Sequence, residues 1–357
     1  MKQQISTVVR RLRVSKPVGV AAVAFGVLSI VPYLARTQEQ SEVGPAPESE
    51  TQTTPISGVT SSTQNPFQIG LLHWYNANLT TTFGVGPTPY GVAFDGANVW
   101  VANWGSDNVT KLRASDGKVL GTFTVGMNPL GVAFDGANIW VAVNWVANAG
   151  SSNVTKLRAS DGTRVGTFPV GTQPTGVAFD GANIWVTNYV SGTVTKLRAS
   201  DGRVLSTFAV GPHPLGVAFD GTNIWVTIGG NDSVIKVRVS DGKVLGRFPV
   251  GAFPYRVAFD GANVWVTNES SNNVEKLRAS DGAVVGTFAV GSVPTAVAFD
   301  GANIWVTNWG SANVTKLRAA DGGVLGTFPV GNNPFAVAFD GSNVWVTNGG
   351  SDTVSKL

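Results

Sequence analysis

A unit of about 40 residues recurs through most of this chain, and this repeat restricts the possible folds more than any other feature. Its clearest marker is the Asp of a Phe-Asp-Gly turn, which recurs at Asp95, Asp135, Asp180, Asp220, Asp260, Asp300 and Asp340. Five of the steps between these aspartates are 40 residues and one is 45. A fixed period of this length is typical of repeat proteins, in which each unit packs only on its neighbours.

Each unit divides into four short segments rich in β-branched and aromatic residues. In the first unit these are 90–94, 98–103, 108–114 and 118–124, separated by Asp-Gly turns, Asn/Gly/Ser loops and a Val-Gly-x-x-Pro corner. Segments of this length joined by Asp-Gly turns indicate β-hairpins. Four antiparallel strands in each of seven units predict an all-β fold, a seven-bladed β-propeller.

The two ends of the repeat region are complementary. The last unit stops at Leu357, after its third segment, whereas residues 72–86 align without gaps to residues 112–126, which contain a fourth segment. We therefore expect the N-terminal strand to pair as the outer strand of the last blade. This pairing closes the ring and removes an open sheet edge.

Three side chains repeat with the unit. The second segment always carries one Trp, which we interpret as a core residue: Trp100, Trp140, Trp185, Trp225, Trp265, Trp305 and Trp345. Turn chemistry explains the Asp of each Asp-Gly turn, so no metal site is predicted there. The Lys-x-Arg element of the third segment is predicted to face solvent in ion pairs of small energetic weight.

Composition limits the kinds of site that the chain can build. Most of the formal charge of +3 arises near the N-terminus: residues 1–36 hold six bases and no acid and residues 37–66 hold four acids and no base, whereas residues 67–357 hold 19 bases and 18 acids. A duplex-binding domain shows a basic stripe, so no nucleic-acid partner is expected. With no Cys and two His, disulfides and thiolate chemistry are excluded. We predict no cofactor and no metal, and favour a binding protein over an enzyme.

The N-terminal region differs in kind from the repeats. Residues 17–35 are uncharged and apolar, and a helix of 19 residues spans roughly 28 Å, about one bilayer core. We predict one transmembrane or signal helix within 1–36, a flexible polar linker over 37–66, and the propeller over 67–357. The propeller is expected outside the cytoplasm, anchored to the membrane through 17–35, or secreted or periplasmic if the segment is cleaved.

One repeat resembles a known family. Residues 185–221 are similar to the YVTN-type β-propeller repeat, because Trp-Val-Thr-Asn at 185–188 is followed by the same strand, Asp-Gly turn and Val-Gly-x-x-Pro corner. The resemblance implies exported or surface-associated propellers. The fold also looks like that of the virginiamycin B lyase family, which relies on a histidine and a magnesium-binding carboxylate near the axis. The resemblance assigns no such residues here, because the predicted rims of the propeller contain a single histidine, His213.

The two rims of the predicted propeller differ. The first and third turns of a four-strand meander share one rim, which we call the turn rim; it reads Asp-Gly-Ala-Asn in five of seven units. The blade-to-blade corners and second loops form the opposite rim, the loop rim, where the copies differ and extra aromatic residues concentrate. Aromatic side chains in variable loops are typical of binding sites. The predicted ligand-binding residues are Tyr90, Trp104, Trp145, Tyr189, His213, Phe253, Tyr255, Arg256, Glu269, Trp309 and Phe335.

Three functions fit this pattern. The primary hypothesis is a propeller that binds a protein, peptide or glycan partner on the loop rim. The alternative is a lyase- or lactonase-like enzyme with an axial site, for which His213 and Glu269 are weak candidates for an acid/base pair. The second alternative is a structural protein of the cell envelope.

Overall fold

Seven four-stranded antiparallel sheets form a closed ring in the computed structural model, which describes residues 81–144 and 152–357. The innermost strands of successive sheets contact one another around the ring, and those of the last and first sheets are also neighbours. The predicted all-β, seven-bladed propeller is therefore confirmed. The predicted N-terminal helix and the linker lie outside the described residues.

The strands follow the predicted meander in every blade. A blade runs from an innermost strand to an outer one, and the last blade takes its outer strand from the N-terminal side. The first strand of the described residues is β1 (Thr81–Gly84). Blades 1 to 3 contain β2 (Pro89–Phe94), β3 (Asn98–Asn103), β4 (Asn108–Arg113), β5 (Val119–Thr124); β6 (Pro129–Phe134), β7 (Asn138–Val143), β8 (Asn153–Arg158), β9 (Arg164–Pro169); β10 (Pro174–Phe179), β11 (Asn183–Asn188), β12 (Thr193–Arg198) and β13 (Val204–Ala209).

The remaining blades repeat these lengths. Blades 4 to 7 contain β14 (Pro214–Phe219), β15 (Asn223–Ile228), β16 (Ser233–Arg238), β17 (Val244–Pro249); β18 (Pro254–Phe259), β19 (Asn263–Asn268), β20 (Asn273–Arg278), β21 (Val284–Ala289); β22 (Pro294–Phe299), β23 (Asn303–Asn308), β24 (Asn313–Arg318), β25 (Val324–Pro329); β26 (Pro334–Phe339), β27 (Val344–Asn348) and β28 (Thr353–Lys356). Within residues 81–144 and 152–357, single-turn 3-10 helices follow three of the second strands, at Trp104–Ser106, Gly229–Asn231 and Trp309–Ser311. In the part of the chain that the structure describes, no helix is long and apolar enough to cross a membrane.

Pairing of the chain ends closes the ring. Strand β1 pairs antiparallel with β28, with Thr82 opposite Ser355 and Phe83 opposite Val354. The Phe83 ring stacks on Trp345 at 5.5 Å, as the outer-strand Phe of other blades pack on their own Trp. The predicted closure is therefore confirmed.

Aspartate anchors the core tryptophan of each blade. In blade 1, Asp95 Oδ1 accepts the backbone N–H groups of Ala97 and Asn98, and Asp95 Oδ2 accepts the Trp100 Nε1–H at 2.7 Å. The same bond, at 2.7 to 2.8 Å, recurs in the other six blades. The carboxylates thus serve the turn, as predicted, and also satisfy a buried indole donor.

The prediction for the repeated lysines was wrong. Lys156 is only 3% exposed; its Nζ lies 5.0 Å from the centre of the Trp140 ring and donates to Ala199 O at 2.7 Å, in the next blade. Equivalent bonds join most neighbouring blades, including the bond from Lys356 to Ala114 that crosses the closure. The ammonium group reaches a neighbouring carbonyl because its aliphatic stem packs along the Trp. The arginines do form the predicted exposed ion pairs, each with the Asp of the third turn.

Threonine hydroxyls add a second tie between blades. Every innermost strand shifts register near its start, as between Pro174 and Val177, which leaves a backbone N–H outside the ladder. Thr187 Oγ1 accepts that N–H from Gly176 at 2.7 Å and donates to Leu215 O in the next blade at 2.8 Å. The Thr of the Trp-Val-Thr-Asn motif therefore stabilises a bulge and a blade interface together.

The two cations of β8 should contribute very differently to stability. Replacing Lys156 by Met removes charge-assisted hydrogen bonds to the next blade and should lower the free energy of unfolding by about 2 kcal/mol. The matched control is Arg158→Met, two residues away, where the side chain is 54% exposed and pairs with Asp161; it should cost less than about 0.5 kcal/mol. Chemical denaturation of both variants measures the difference, and equal losses would contradict the role given to the lysine.

Candidate functional site

The loop rim is built from pairs of backbone segments held together in the same way in each blade. The second-loop residue after β3, Trp104, donates its N–H to Thr88 O at 3.0 Å, and Glu269 donates to Phe253 O at 3.0 Å in blade 5. These bonds tie each corner to the loop beside it. Variable side chains are thus presented on a fixed backbone.

All seven corners share an unusual backbone conformation that could not be predicted from the sequence, because no glycine occupies the position that adopts it. The residue before the corner proline has a positive φ of 50 to 56° in each of them: Thr88, Asn128, Gln173, His213, Phe253, Val293 and Asn333. Positive φ is disfavoured for residues with a Cβ, most of all for bulky or β-branched ones. The neighbouring loop bond overcomes this preference and fixes the direction of the corner side chains.

The residues after the corner prolines of blades 1, 5 and 7 meet near the propeller axis. Tyr255 of blade 5 and Phe335 of blade 7 belong to blades that are not neighbours, yet their ring centres are 6.1 Å apart. Tyr90 meets Phe335 edge-on at 4.3 Å, and Leu215 belongs to the same buried group. We call Tyr90, Leu215, Tyr255 and Phe335 the axial cluster. It fills the axis beneath the loop rim.

Arg256 breaks the repeat beside this cluster. The other six blades carry Gly or Ala at this position, whereas Arg256 is 2% exposed. Its Nη1 donates to Tyr255 O at 2.9 Å, and its guanidinium carbon lies 5.0 Å from the centre of the Tyr255 ring. Burial lowers the pKa of Arg256 to about 9. A buried charge of this kind costs stability, so packing alone does not account for its presence.

Ionisable groups of blades 3, 4 and 5 lie near the axial cluster on the loop rim. The His213 ring stacks on Tyr189 with centres 4.4 Å apart and planes 14° from parallel. Burial raises the pKa of Glu269, and burial and then the charge of Glu269 raise the pKa of Tyr189. Burial also raises the pKa of Tyr255 well above its usual value; the charge of Arg256 opposes this shift and the charge of Glu269 adds to it. Glu269 is therefore close enough to both tyrosines to act on them electrostatically.

The structure brings most of the predicted site residues together. Trp104 stands edge-on to Tyr90 at 6.0 Å, and Phe253 stacks near Tyr255 at 6.2 Å, so both flank the axial cluster. Trp309 is 38% exposed on the second loop of blade 6. Trp145 falls outside the described residues.

Exposure differs from what the sequence suggested for three of these residues. Aromatic residues near the corners were expected to face solvent, but Tyr255 is 0% and Phe335 is 1% exposed, and Arg256 is buried too. The bulge at the start of each innermost strand explains the difference, because it turns these side chains toward the axis or the next blade. Solvent reaches the other described members, Tyr90, Trp104, Tyr189, His213, Phe253, Glu269 and Trp309.

Two further departures from the repeat went unnoticed in the sequence. Glu275 is buried where most blades carry Thr or Ser, and burial raises its pKa while the Gly251 N–H lowers it. Arg247 replaces a Thr and donates to Ser233 Oγ and Val210 O, both at 2.9 Å. Comparing each strand position across the units would have revealed both. Like Arg256 and Glu269, they belong to blades 4 and 5.

The described residues contain no group of three or more His, Asp or Glu side chains arranged to hold a metal ion. The loop rim offers an aromatic surface that includes the imidazole of His213 and the half-buried carboxyl of Glu269. Such a surface suits stacking on a flat ligand face with a few polar contacts at its edge.

Comparison with known proteins identifies the fold. No family model matches the chain. A search of curated proteins also finds no match. Among solved structures, a streptogramin B lyase is 19% identical with a TM-score of 0.65, and the match covers 78% of this chain and 96% of that one. Virginiamycin B lyase from Staphylococcus aureus is 17% identical with a TM-score of 0.66, over 78% and 98%.

A third match has a different activity. Hydrazine synthase of Kuenenia stuttgartiensis is 18% identical with a TM-score of 0.66, and the match covers 76% of this chain and 95% of that one. At these identities the likeness shows a shared propeller fold and nothing about chemistry. The resemblance to the YVTN-type family remains a prediction.

The raised pKa of Glu269 predicts a pH-dependent cost. A carboxyl whose folded-state pKa exceeds its unfolded value destabilises the fold increasingly as pH rises through that interval. We therefore expect Glu269→Gln to raise the melting temperature at pH 7, and the gain to vanish near about pH 3, where the carboxyl is protonated in both states.

Asp161 provides a control of opposite sign. The Thr163 N–H lowers the pKa of this exposed carboxyl, so Asp161→Asn should lower the melting temperature at pH 7 and change it little in acid. Thermal unfolding across the pH range measures both. A Glu269→Gln variant that is less stable than the parent at pH 7 would show that the carboxylate is held by favourable contacts.

Proposed function

We propose that the chain is an extracytoplasmic binding propeller that takes a protein, peptide or glycan partner on its loop rim, over the axis. The observation that carries this proposal is the asymmetry of that rim. Its axial positions differ from blade to blade, and its aromatic and ionisable side chains converge around Tyr255, whereas the turn rim repeats one set of bonds seven times. One asymmetric ligand requires a surface that differs between blades, whereas seven equivalent sites would require seven identical blades.

The buried Arg256 supports the same proposal. An Ala at this position serves blades 6 and 7 without a buried charge. The guanidinium holds the Tyr255 carbonyl and packs over its ring, and we assign it the role of a positioning residue beneath the site. Functional sites commonly retain groups that reduce stability.

The location of the propeller is part of the proposal. The apolar segment 17–35 follows five bases and precedes an acidic linker, which favours an N-terminus inside and the propeller outside the cytoplasm. The segment either anchors the protein or is removed after export. A binding surface outside the cytoplasm suits a partner in the cell envelope or beyond it.

A second candidate function is enzymatic and rests on a separate observation. The pKa of Glu269 is raised, and this carboxyl lies near Tyr189, on which His213 stacks. A carboxyl with a raised pKa is a candidate general acid or base. Incubating the full chain with virginiamycin B and a divalent cation, and following the intact antibiotic by mass spectrometry, separates the two functions: turnover that Glu269→Gln abolishes would favour the enzyme.

The binding proposal predicts which substitutions abolish recognition. The full chain, screened against arrays of cell-envelope glycans and of peptides, should bind a restricted set of them. Tyr189→Ala removes a stacking face, and Arg256→Ala restores the residue of blades 6 and 7; each should weaken binding by about tenfold or more. Calorimetry on the selected ligand provides the measurement.

Val190→Ala is the matched control, since Val190 is exposed beside Tyr189 in the same loop and should bind like the parent. Circular dichroism shows whether each variant is folded. Unchanged affinity in both Tyr189→Ala and Arg256→Ala, or no specific binding on either array, would refute the site.

A further inference from the structure

The turn rim opens into a second site that the sequence did not suggest. An axial cavity of about 680 Å³ lies on this side of the propeller, a size within the usual range for small-molecule sites. The last residue of every innermost strand lines it: Phe94, Phe134, Phe179, Phe219, Phe259, Phe299 and Phe339. The cavity therefore has a complete aromatic wall to which all seven blades contribute.

The phenylalanines pack against the blades but remain partly exposed. Each packs against the buried core at its own blade interface, as Phe134 does beside Trp100, and each keeps part of its surface open to the cavity. The rest of the wall includes small apolar residues such as Ala178, Val217 and Ala298. A preformed apolar wall of this kind needs little reorganisation to receive a ligand.

The cavity is separated from the loop rim. Its lining does not extend to Tyr255 or Phe335, which meet across the axis on the other side and are almost completely buried. A molecule in the cavity therefore enters and leaves through the turn rim. It does not contact the candidate site on the loop rim.

Carboxylate groups line the entrance. Asp95, Asp300 and Asp340 line the cavity, and the equivalent aspartates of the other blades complete the ring of Phe-Asp-Gly turns. Although burial acts to raise the pKa of Asp300, hydrogen bonds from Trp305, Asn303 and the turn N–H groups lower it overall, so this carboxylate stays ionised. The six ion pairs found in the described residues use the Asp of the third turns instead. The cavity lining among those residues includes no Lys, Arg or His.

These features together define the ligand chemistry. We propose that the axial cavity binds a hydrophobic cation, a compact molecule with an apolar or aromatic body and one positive charge. The body replaces water against the phenylalanine rings, whose faces also attract a cation. The ring of carboxylates favours positive over negative charge at the entrance. This site is independent of the partner proposed for the loop rim.

Two ions of nearly equal shape and opposite charge test the proposal. Tetraphenylphosphonium and tetraphenylborate both carry four phenyl groups, so a purely apolar cavity would not discriminate between them by size. Isothermal titration calorimetry of the full chain should show binding of the phosphonium ion, with the borate at least about tenfold weaker. Added salt should reduce this difference.

Substitutions place the binding in the cavity. Phe179→Lys introduces a positive charge into the wall and should abolish phosphonium binding. Phe179→Ala should weaken phosphonium binding several-fold, and it replaces the lysine variant in the test if that variant does not fold. Tyr189→Ala, on the loop rim, should leave it unchanged. The proposal is overturned if neither ion binds at about 1 mM, if the borate binds as well as the phosphonium, or if the folded Phe179 variants bind the phosphonium like the parent.

Discussion

The repeated contact between a lysine ammonium group and backbone carbonyls of the next blade is the constraint on which the rest of the structure depends. Asp135 fixes the Trp140 indole, the indole supports Lys156, and Lys156 donates to Ala199 across the interface. A buried ammonium without its acceptors would be strongly destabilising. A single blade therefore cannot satisfy its own lysine, and closure of the ring stabilises the fold. At the junction of the chain ends, the bond from Lys356 to Ala114 joins the last blade to the first.

This constraint applies to the turn rim and leaves the sequence of the loop rim free to vary. The Asp of the first turn, the Trp and the Lys are needed in every blade, so the turn rim is uniform. The corners and second loops are joined mainly by backbone bonds, such as that from Glu269 N to Phe253 O, which accept almost any side chain. Asymmetry can accumulate only where the sequence is not needed for closure, and it is concentrated in blades 4 and 5.

Much of the fold could be predicted because its causes are local. The period, the Asp-Gly turns and the complementary ends were sufficient to predict seven blades and the pairing of β1 with β28. The position of Lys156 could not be predicted, because an alternating strand pattern does not show that a neighbouring blade offers carbonyls within reach. The burial of Tyr255 could not be predicted for a related reason. A register shift after Pro254 redirects its side chain, whereas the sequence motif around it is that of an exposed corner.

The axial cavity was hidden for a third reason. In the sequence, Phe94 is one more apolar residue of a buried strand. Whether the seven equivalent residues touch one another or enclose a cavity depends on the diameter of the ring, and no single repeat determines that diameter. The axial cluster lies between the two faces of the propeller and determines whether ligands bound to them can influence one another. Tyr255 and Phe335 touch across the axis with almost no exposure, and a packed cluster of this kind has few alternative arrangements. Ligands on opposite faces would influence one another only by displacing it, so the packing favours two sites that act independently.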